Sequence, residues 1–316
     1  MDSQWELSHS GVFVKDFFKT LEYYQSLGIA VEPFGLSRKT GVSPAEMTQV
    51  ITIFGKERPP PDPSATRYLE LLYIGDFELE VLQAPAEPPK GDALAYGEGI
   101  NHVTFNVPDI DRETAKLVNK GLPIIFDLTR DGIRFEDYLD TREFGNIILS
   151  LRPAESIDAK ARKANLGIVN WRFLGHGVTV ADLDKTVEYY QSLGIATIQP
   201  EAMFDSGSMT NLESYGRTPD SSIKARTRAA QVGPTLYEFI QPLEGESIYK
   251  ESLEKRGEGI IDMTFSVDDL DKEAAQLVEK GVSIVLGGTP QSDRAFAYFD
   301  TREDGGDIMI KLIQAG

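Results

Sequence analysis

Two hydrophobic rhythms follow one another repeatedly along the chain. In "HSGVFVKDFFKTLEYYQSLG" (His9–Gly28) apolar and polar residues first alternate at period two, which predicts a strand half buried on one face. Asp16 then stands where a carboxylate can cap the start of a helix. Apolar residues at Phe17, Leu21 and Tyr24 mark the buried face of that helix, and Gly28 ends it. "HVTFNVPDIDRETAKLVNKG" (His102–Gly121) has the same grammar, with Asp109 as the cap, Ala115, Leu117 and Val118 as the apolar positions, and Gly121 as the stop. Further strand-like runs follow, such as "RYLELLYIG" and "FELEVLQ". The unit reads β-α-β-β-β.

The chain writes this pattern four times, because its two halves repeat each other. "EYYQSLGIA" occurs at Glu22–Ala30 and again, letter for letter, at Glu188–Ala196. "GEGINHVTFNVPDIDRETAKLVNKG" (Gly97–Gly121) pairs with "GEGIIDMTFSVDDLDKEAAQLVEKG" (Gly257–Gly281). "YLDTREFGNIILSL" (Tyr138–Leu151) pairs with "YFDTREDGGDIMIKL" (Tyr298–Leu312). The expected organisation is a copy at 1–152, a polar linker at 153–170, and a second copy at 171–316. The short connection from Gln83 to Gly97 favours pairing of unit one with unit two, and of three with four. The fold class is α+β.

Composition narrows the partners. Lys and Arg number 32 and Asp and Glu 50, for a net charge of −18, which disfavours nucleic acid and anionic membranes. The acidic residues form no block, so they read as a solvated surface. With 0 cysteines there is no disulfide, thiolate metal site or catalytic thiol. No apolar run is long enough to span a bilayer, and "MDSQWELSHS" lacks a basic-then-apolar leader pattern. A cytoplasmic location is the expectation, with a small molecule as partner and a monomer or homodimer as the assembly.

Four βαβββ units in series resemble the vicinal oxygen chelate superfamily, which includes glyoxalases, bleomycin-resistance proteins and extradiol dioxygenases. "LYEFIQPLEGESIYKESLEKRGEGI" (Leu236–Ile260) looks most like the methylmalonyl-CoA epimerases within it. The resemblance implies that paired units curl their sheets into a cup, giving two cups, and that ligands come from the first and last strand of each unit. The family's first-strand ligand lies seven residues before the helix-capping Asp. That position is His9, His102, Gly175 and Asp262 in units one to four. His176 misses it by one, which turns a strand side chain to the opposite face. The family's last-strand glutamate falls on Glu80, Ser150, Glu238 and Lys311, with Glu78 as a same-face rival to Glu80.

His9, Glu80 and His102 are therefore the implied metal ligands. Two imidazoles and a carboxylate suit one divalent first-row ion such as Zn, Fe, Co, Ni or Mn. The C-terminal set, with Gly175 and Lys311, reads as a lapsed site. The resemblance implies a metal-dependent isomerase or epimerase acting on a small carbonyl substrate through an enolate, an isomerase/lyase chemistry. The epimerases' last-strand base falls on Ser150 here, no second base is evident near Ser64, and Tyr138 is the remaining candidate proton carrier. The alternatives are an Fe(II)-dependent extradiol-type dioxygenase and a non-catalytic small-molecule-binding protein. The Tyr23–Tyr24 and Tyr189–Tyr190 pairs read as packing, and the Pro-rich stretch 57–67 as a loop near a cup mouth.

Overall fold

The computed structural model describes residues 5–31, 49–57, 69–83, 97–155, 166–219, 221–291 and 294–316. Nearly all of the Pro-rich stretch, Ser64 and most of the linker lie outside them. The N-terminal half contributes β1 (Glu6–Val14), α1 (Phe17–Ser26), β2 (Ala30–Val31), β3 (Gln49–Ile53), β4 (Lys56–Glu57), β5 (Leu69–Ile74) and β6 (Phe77–Gln83). It continues with β7 (Gly99–Val107), α2 (Ile110–Val118), β8 (Ile124–Arg130), β9 (Ile133–Thr141) and β10 (Ile147–Pro153). These strands make one sheet in the order β2-β5-β6-β1-β7-β10-β9-β8-β3-β4.

The C-terminal half opens with β11 (Arg172–Thr179), α3 (Leu183–Leu193), β12 (Ala196–Ile198), β13 (Ala202–Asp205), β14 (Met209–Ser214), β15 (Lys224–Val232) and β16 (Thr235–Glu244). It closes with α4 (Ile248–Arg256), β17 (Gly259–Ile260), β18 (Asp262–Val267), α5 (Leu270–Glu279), β19 (Ile284–Pro290), β20 (Phe296–Phe299) and β21 (Met309–Gln314). Its sheet runs β12-β15-β16-β11-β18-β21-β20-β19-β14, with β13 on β15 and β17 on β11. The antiparallel seams β1–β7 and β11–β18 join unit one to two and three to four.

Local rules place the helices. Asp16, Asp109, Asp182 and Asp269 each hold extended backbone, and each carboxylate accepts the N–H three residues on. A cap of this kind contributes about 1 kcal/mol. In α1 the buried residues include Phe17, Leu21 and Tyr24, as the spacing predicts. In α2 the face is rotated from the expected one. Ile110, Thr114 and Leu117 are buried, whereas Ala115 and Val118 are exposed. The Asp109 cap turns Ile110 toward the sheet, and at 100° per residue positions 114 and 117 follow it. Thr114 tolerates burial because its hydroxyl donates to Asp137 Oδ2 at 2.6 Å. The helix α4 has no counterpart in the sequence reading. Its start is capped by Ser247, whose hydroxyl accepts from Lys250 N.

Two strands leave their own units. β3 pairs with β8, and β14 pairs with β19, so a segment of the first unit covers the outer edge of the second in each half. This pairing satisfies an edge whose N–H and C=O groups would otherwise be bare.

One apolar core runs through both halves, from Val12, Leu79 and Phe105 to Val178, Phe239 and Phe265. The halves meet through equivalent residues. Ser10 and His176 each lie six residues before their helix cap (16 − 6 and 182 − 6). Ser10 Oγ donates to His176 Nε2 at 2.8 Å, while His176 Nδ1 donates to Asp262 O at 2.9 Å. Both ring nitrogens of His176 are thus engaged, one by the other half and one by its own sheet. Burial holds its imidazole down to about 4, so it stays neutral. Trp5 and Trp171 also correspond, each meeting the other half's hairpin. A Cβ at Gly75 would lie 2.1 Å from Trp171 O, and one at Gly233 would lie 3.3 Å from Trp5 Cβ. Tyr24 Oη adds a bond to Gly305 O at 2.9 Å. Among the described residues no helix is long and apolar enough to cross a membrane.

Candidate metal centre in the N-terminal cup

Strands β6, β1, β7 and β10 are successive neighbours in the N-terminal sheet, and they carry the four family-implied positions. Gly11 on β1 sits in register with Glu80 on one side and with His102 on the other. His9 lies two residues before Gly11, on the same face of the strand. The missing side chain of Gly11 makes room between them: a Cβ there would lie 1.8 Å from His102 Cε1. This cradle was not foreseen from the sequence, although a glycine between alternating apolar residues signals a close approach.

The three expected ligands converge. His9, Glu80 and His102 are 0%, 4% and 1% exposed, and each offers a ligand atom within 4.8 Å of the others. Glu80 Oε2 lies 3.6 Å from His9 Nε2 and 3.4 Å from His102 Nε2. The two imidazoles stand edge to face, with centroids 5.8 Å apart. Burial alone would raise the Glu80 carboxyl. The two imidazoles and Arg152 outweigh it and hold that group at about 2. Glu80 is therefore an anion, as a ligand must be.

Neighbours fix the ligand atoms. His102 Nδ1 donates to Asn101 Oδ1 at 2.6 Å, which leaves the Nε2 lone pair directed at Glu80 and the cup. Tyr138 Oη donates to that same Nε2 at 3.2 Å. Burial, then the carboxylates of Glu136 and Glu80, push the Tyr138 phenol well above its ordinary 10, so it serves as a donor and not as a base. His9 Nδ1 meets Ser8 Oγ at 3.0 Å and Glu78 Oε1 at 3.8 Å. Glu78 accepts from Tyr73 Oη at 2.5 Å. Glu78 therefore stands beside His9, outside the triad, while Glu80 takes the position between both histidines.

Ser150, the fourth implied position, is fully buried and donates to Glu136 Oε1 at 3.2 Å. Arg152 holds Glu136 through bonds of 2.7 and 2.9 Å and approaches Glu80 Oε1 at 4.0 Å. Sequence reasoning missed the Glu136–Arg152 pair, because it depends on the register of β9 against β10. The two imidazole nitrogens and one carboxylate, poised around a glycine cradle with their outer atoms already engaged, fit a divalent cation and leave coordination positions free for substrate.

The C-terminal cup has the same register and different chemistry. Gly177 faces Glu238 across β11–β16, as Gly11 faces Glu80. A Cβ on Gly177 would lie 2.0 Å from Asp262 Oδ2, so Asp262 takes the cradle that His102 occupies in the other half. Lys311 Nζ donates to Glu238 Oε2 at 2.6 Å. Gly175, at the position of His9, has φ +155°, and a Cβ on it would lie 1.9 Å from Leu236 O. Among the described residues His9, Glu80 and His102 form the one three-residue group suited to a metal ion.

Comparison with known proteins fits this picture. The Glyoxalase/Bleomycin resistance protein/Dioxygenase superfamily matches residues 6–146, and a second model of the same superfamily matches residues 176–299. No curated protein matches the chain. A solved mutant of 4-hydroxymandelate synthase from Streptomyces coelicolor superposes with a TM-score of 0.65 at 14% identity, covering 98% of this chain and 92% of that one. Methylmalonyl-CoA epimerase from Mycobacterium tuberculosis covers 47% of this chain and 90% of its own at 22% identity, with a TM-score of 0.37. At 14% identity the likeness to the synthase is one of fold. Two family matches in tandem, the paired sheets and the placement of first- and last-strand residues together make the chain a member of the glyoxalase/bleomycin resistance/dioxygenase superfamily, with its cup built twice.

Proposed function

We propose that the N-terminal cup is a divalent-metal centre held by His9, Glu80 and His102, and that it serves an isomerase or epimerase acting on a small carbonyl substrate. The observation that carries this reading is the convergence of three buried donors from β1, β6 and β7 within 4.8 Å. A cation bound there supplies Lewis-acid stabilisation of the enolate formed when a proton leaves the carbon beside the carbonyl. The chain's own groups do the rest. Glu80 and the imidazoles present a carboxylate and ring nitrogens from buried positions. Asn101 and Ser8 hold the rings in orientation. Arg152 and Glu136 pin each other behind Ser150, so the fourth position offers a neutral hydroxyl.

Tyr138 has one role that follows from geometry. The Nε2 lone pair of His102 serves either the phenol or a ligand bond. Were that nitrogen engaged by a cation, the Tyr138 O–H would be available as a donor toward substrate oxygen. The test is exchange of the substrate α-proton for deuterium in heavy water, lost on chelation and restored by divalent metal. A second reading rests on the donor set alone: two histidines and one carboxylate also suit iron(II) and O₂ chemistry. Iron-dependent O₂ uptake without α-proton exchange would select it.

A further inference from the structure

A cavity lies in the other cup. It has a volume of about 360 Å³ and is walled by Leu174, Phe204, Met209, Leu236, Phe296 and Ile313. Cavities of roughly 300–1,000 Å³ suit small organic ligands, and apolar walls with a few convergent polar groups are their usual construction. The polar lining includes Thr227, Glu238, Thr264, Arg294 and Lys311; Arg294 is exposed, whereas Lys311 is 7% exposed and is the buried cation of the cavity. An ammonium carries three N–H donors. Among the described residues Glu238 is the acceptor for one of them, at 2.6 Å. The ring faces of Tyr298 and Phe296 lie 5.1 and 6.0 Å from Nζ and accept no full hydrogen bond. Donor capacity of a buried charge is thus directed at an apolar chamber.

The charge balance of the floor limits what can enter. Glu238 neutralises the ammonium, and Asp262 adds a second carboxyl beside it. An anionic ligand on Lys311 would face the Glu238 carboxylate on the cavity wall, with Asp262 acting on the same ammonium from outside the lining, whereas a neutral oxygen would meet only the donor. The position of Lys311 is that of Ser150 in the first cup, each opposite the equivalent tyrosine on the neighbouring strand. The ammonium therefore stands close to where the other cup gathers its donors for a cation, and it excludes one.

We infer that the C-terminal cup is a second small-molecule site, built on the Lys311 ammonium in place of a metal, for a neutral, largely apolar molecule with one hydrogen-bond-accepting oxygen such as a ketone or ester carbonyl. This inference is independent of the reaction assigned to the first cup.

Saturation-transfer NMR on the full chain tests it with three probes of similar size: acetophenone, isopropylbenzene and benzoate. Acetophenone binds at millimolar concentration. Isopropylbenzene, which lacks the oxygen, binds about 5-fold more weakly, the worth of one net hydrogen bond. Benzoate also binds more weakly than acetophenone. Ala229→Phe, directly across β15–β16 from Glu238, fills the cavity and abolishes the acetophenone signal while the thermal transition is kept. Should that variant fail to fold, Met209→Trp blocks the opposite wall with the same expected result. Absence of acetophenone binding overturns the inference. So does equal binding of isopropylbenzene, stronger binding of benzoate, or an acetophenone signal that survives the filled cavity.

Discussion

The two cups are built on matching frames and hold opposite chemistry. Each has a capping Asp, a glycine cradle on the first strand and a last-strand glutamate in register with that glycine. In the first cup the cradle admits an imidazole, and its partners are a second imidazole and the Glu80 carboxylate. In the second it admits Asp262, and the cation is built in as Lys311. The difference goes deeper than side-chain identity. His9 sits on ordinary strand backbone, whereas Gly175 has a left-handed φ and no room for a Cβ. Both copies keep the sheet and its core, and in the second a charged Lys–Glu pair stands where the first has Ser150 and Glu80.

Four perturbations break or sharpen this contrast. The largest effect is expected from His102→Ala. It removes one of three ligands and should weaken metal binding by well over the roughly 10–100-fold seen for outer-shell partners, as read by competition with a chromophoric chelator. Asp262→Ala should leave metal affinity unchanged. Next, Gly175→His, the obvious attempt to restore a ligand to the second cup, should destabilise the fold by about 3 kcal/mol or more through backbone strain and the clash with Leu236 O. It should add no second metal; denaturant melts and elemental analysis read both outcomes.

A paired test comes third. Gly11→Ala pushes against the His102 ring and should lower metal affinity about 10–100-fold, on the scale of an outer-shell change. Gly177→Ala pushes against Asp262 and should lower stability with metal affinity intact.

The smallest net effect on the wild type, because its two parts oppose, is a pH dependence. His176 is held at about 4, below its ordinary 6.5, so the folded chain binds fewer protons there, and stability present above about 6.5 is lost as pH falls toward 4. The full difference of 2.5 units is worth about 3 kcal/mol. Burial raises Asp262 to about 6 from 3.8, with Lys311 pulling the other way, so its contribution is present at low pH and lost as pH rises through 6. The slopes oppose one another. Relative to wild type, the stability deficit of His176→Gln should shrink on acidification from pH 6.5 to 4, and that of Asp262→Asn should grow. Denaturation at stepped pH reads the sign of each.

Much of this was legible in the chain itself. The repeated "EYYQSLGIA" and the four capping aspartates are written in the sequence, and the family resemblance, counted back from each cap, pointed to His9 and His102. Such features are local, and local chemistry leaves local marks. Other features depend on strands far apart in sequence. The bond from Ser10 to His176, the cradle of Gly11 under His102, and the crossing of β3 to β8 exist only once the register is set. The face of α2 was misread for a related reason: Val118 is apolar and in phase with Ala115, yet the cap fixes a rotation that leaves both in solvent. Tyr138 stood out only as a tyrosine near the fourth position. Its hold on His102 Nε2 emerged from the pairing of β9 with β10.

The central claim is that one cup binds metal and the other cannot. Titration of the purified, chelator-stripped chain with Co(II), followed by visible absorption and elemental analysis, tests it directly. The account predicts one equivalent per chain, abolished by His9→Ala and retained in Glu238→Gln. No bound metal, two equivalents, or a single equivalent that persists in His9→Ala and vanishes in Glu238→Gln would contradict it.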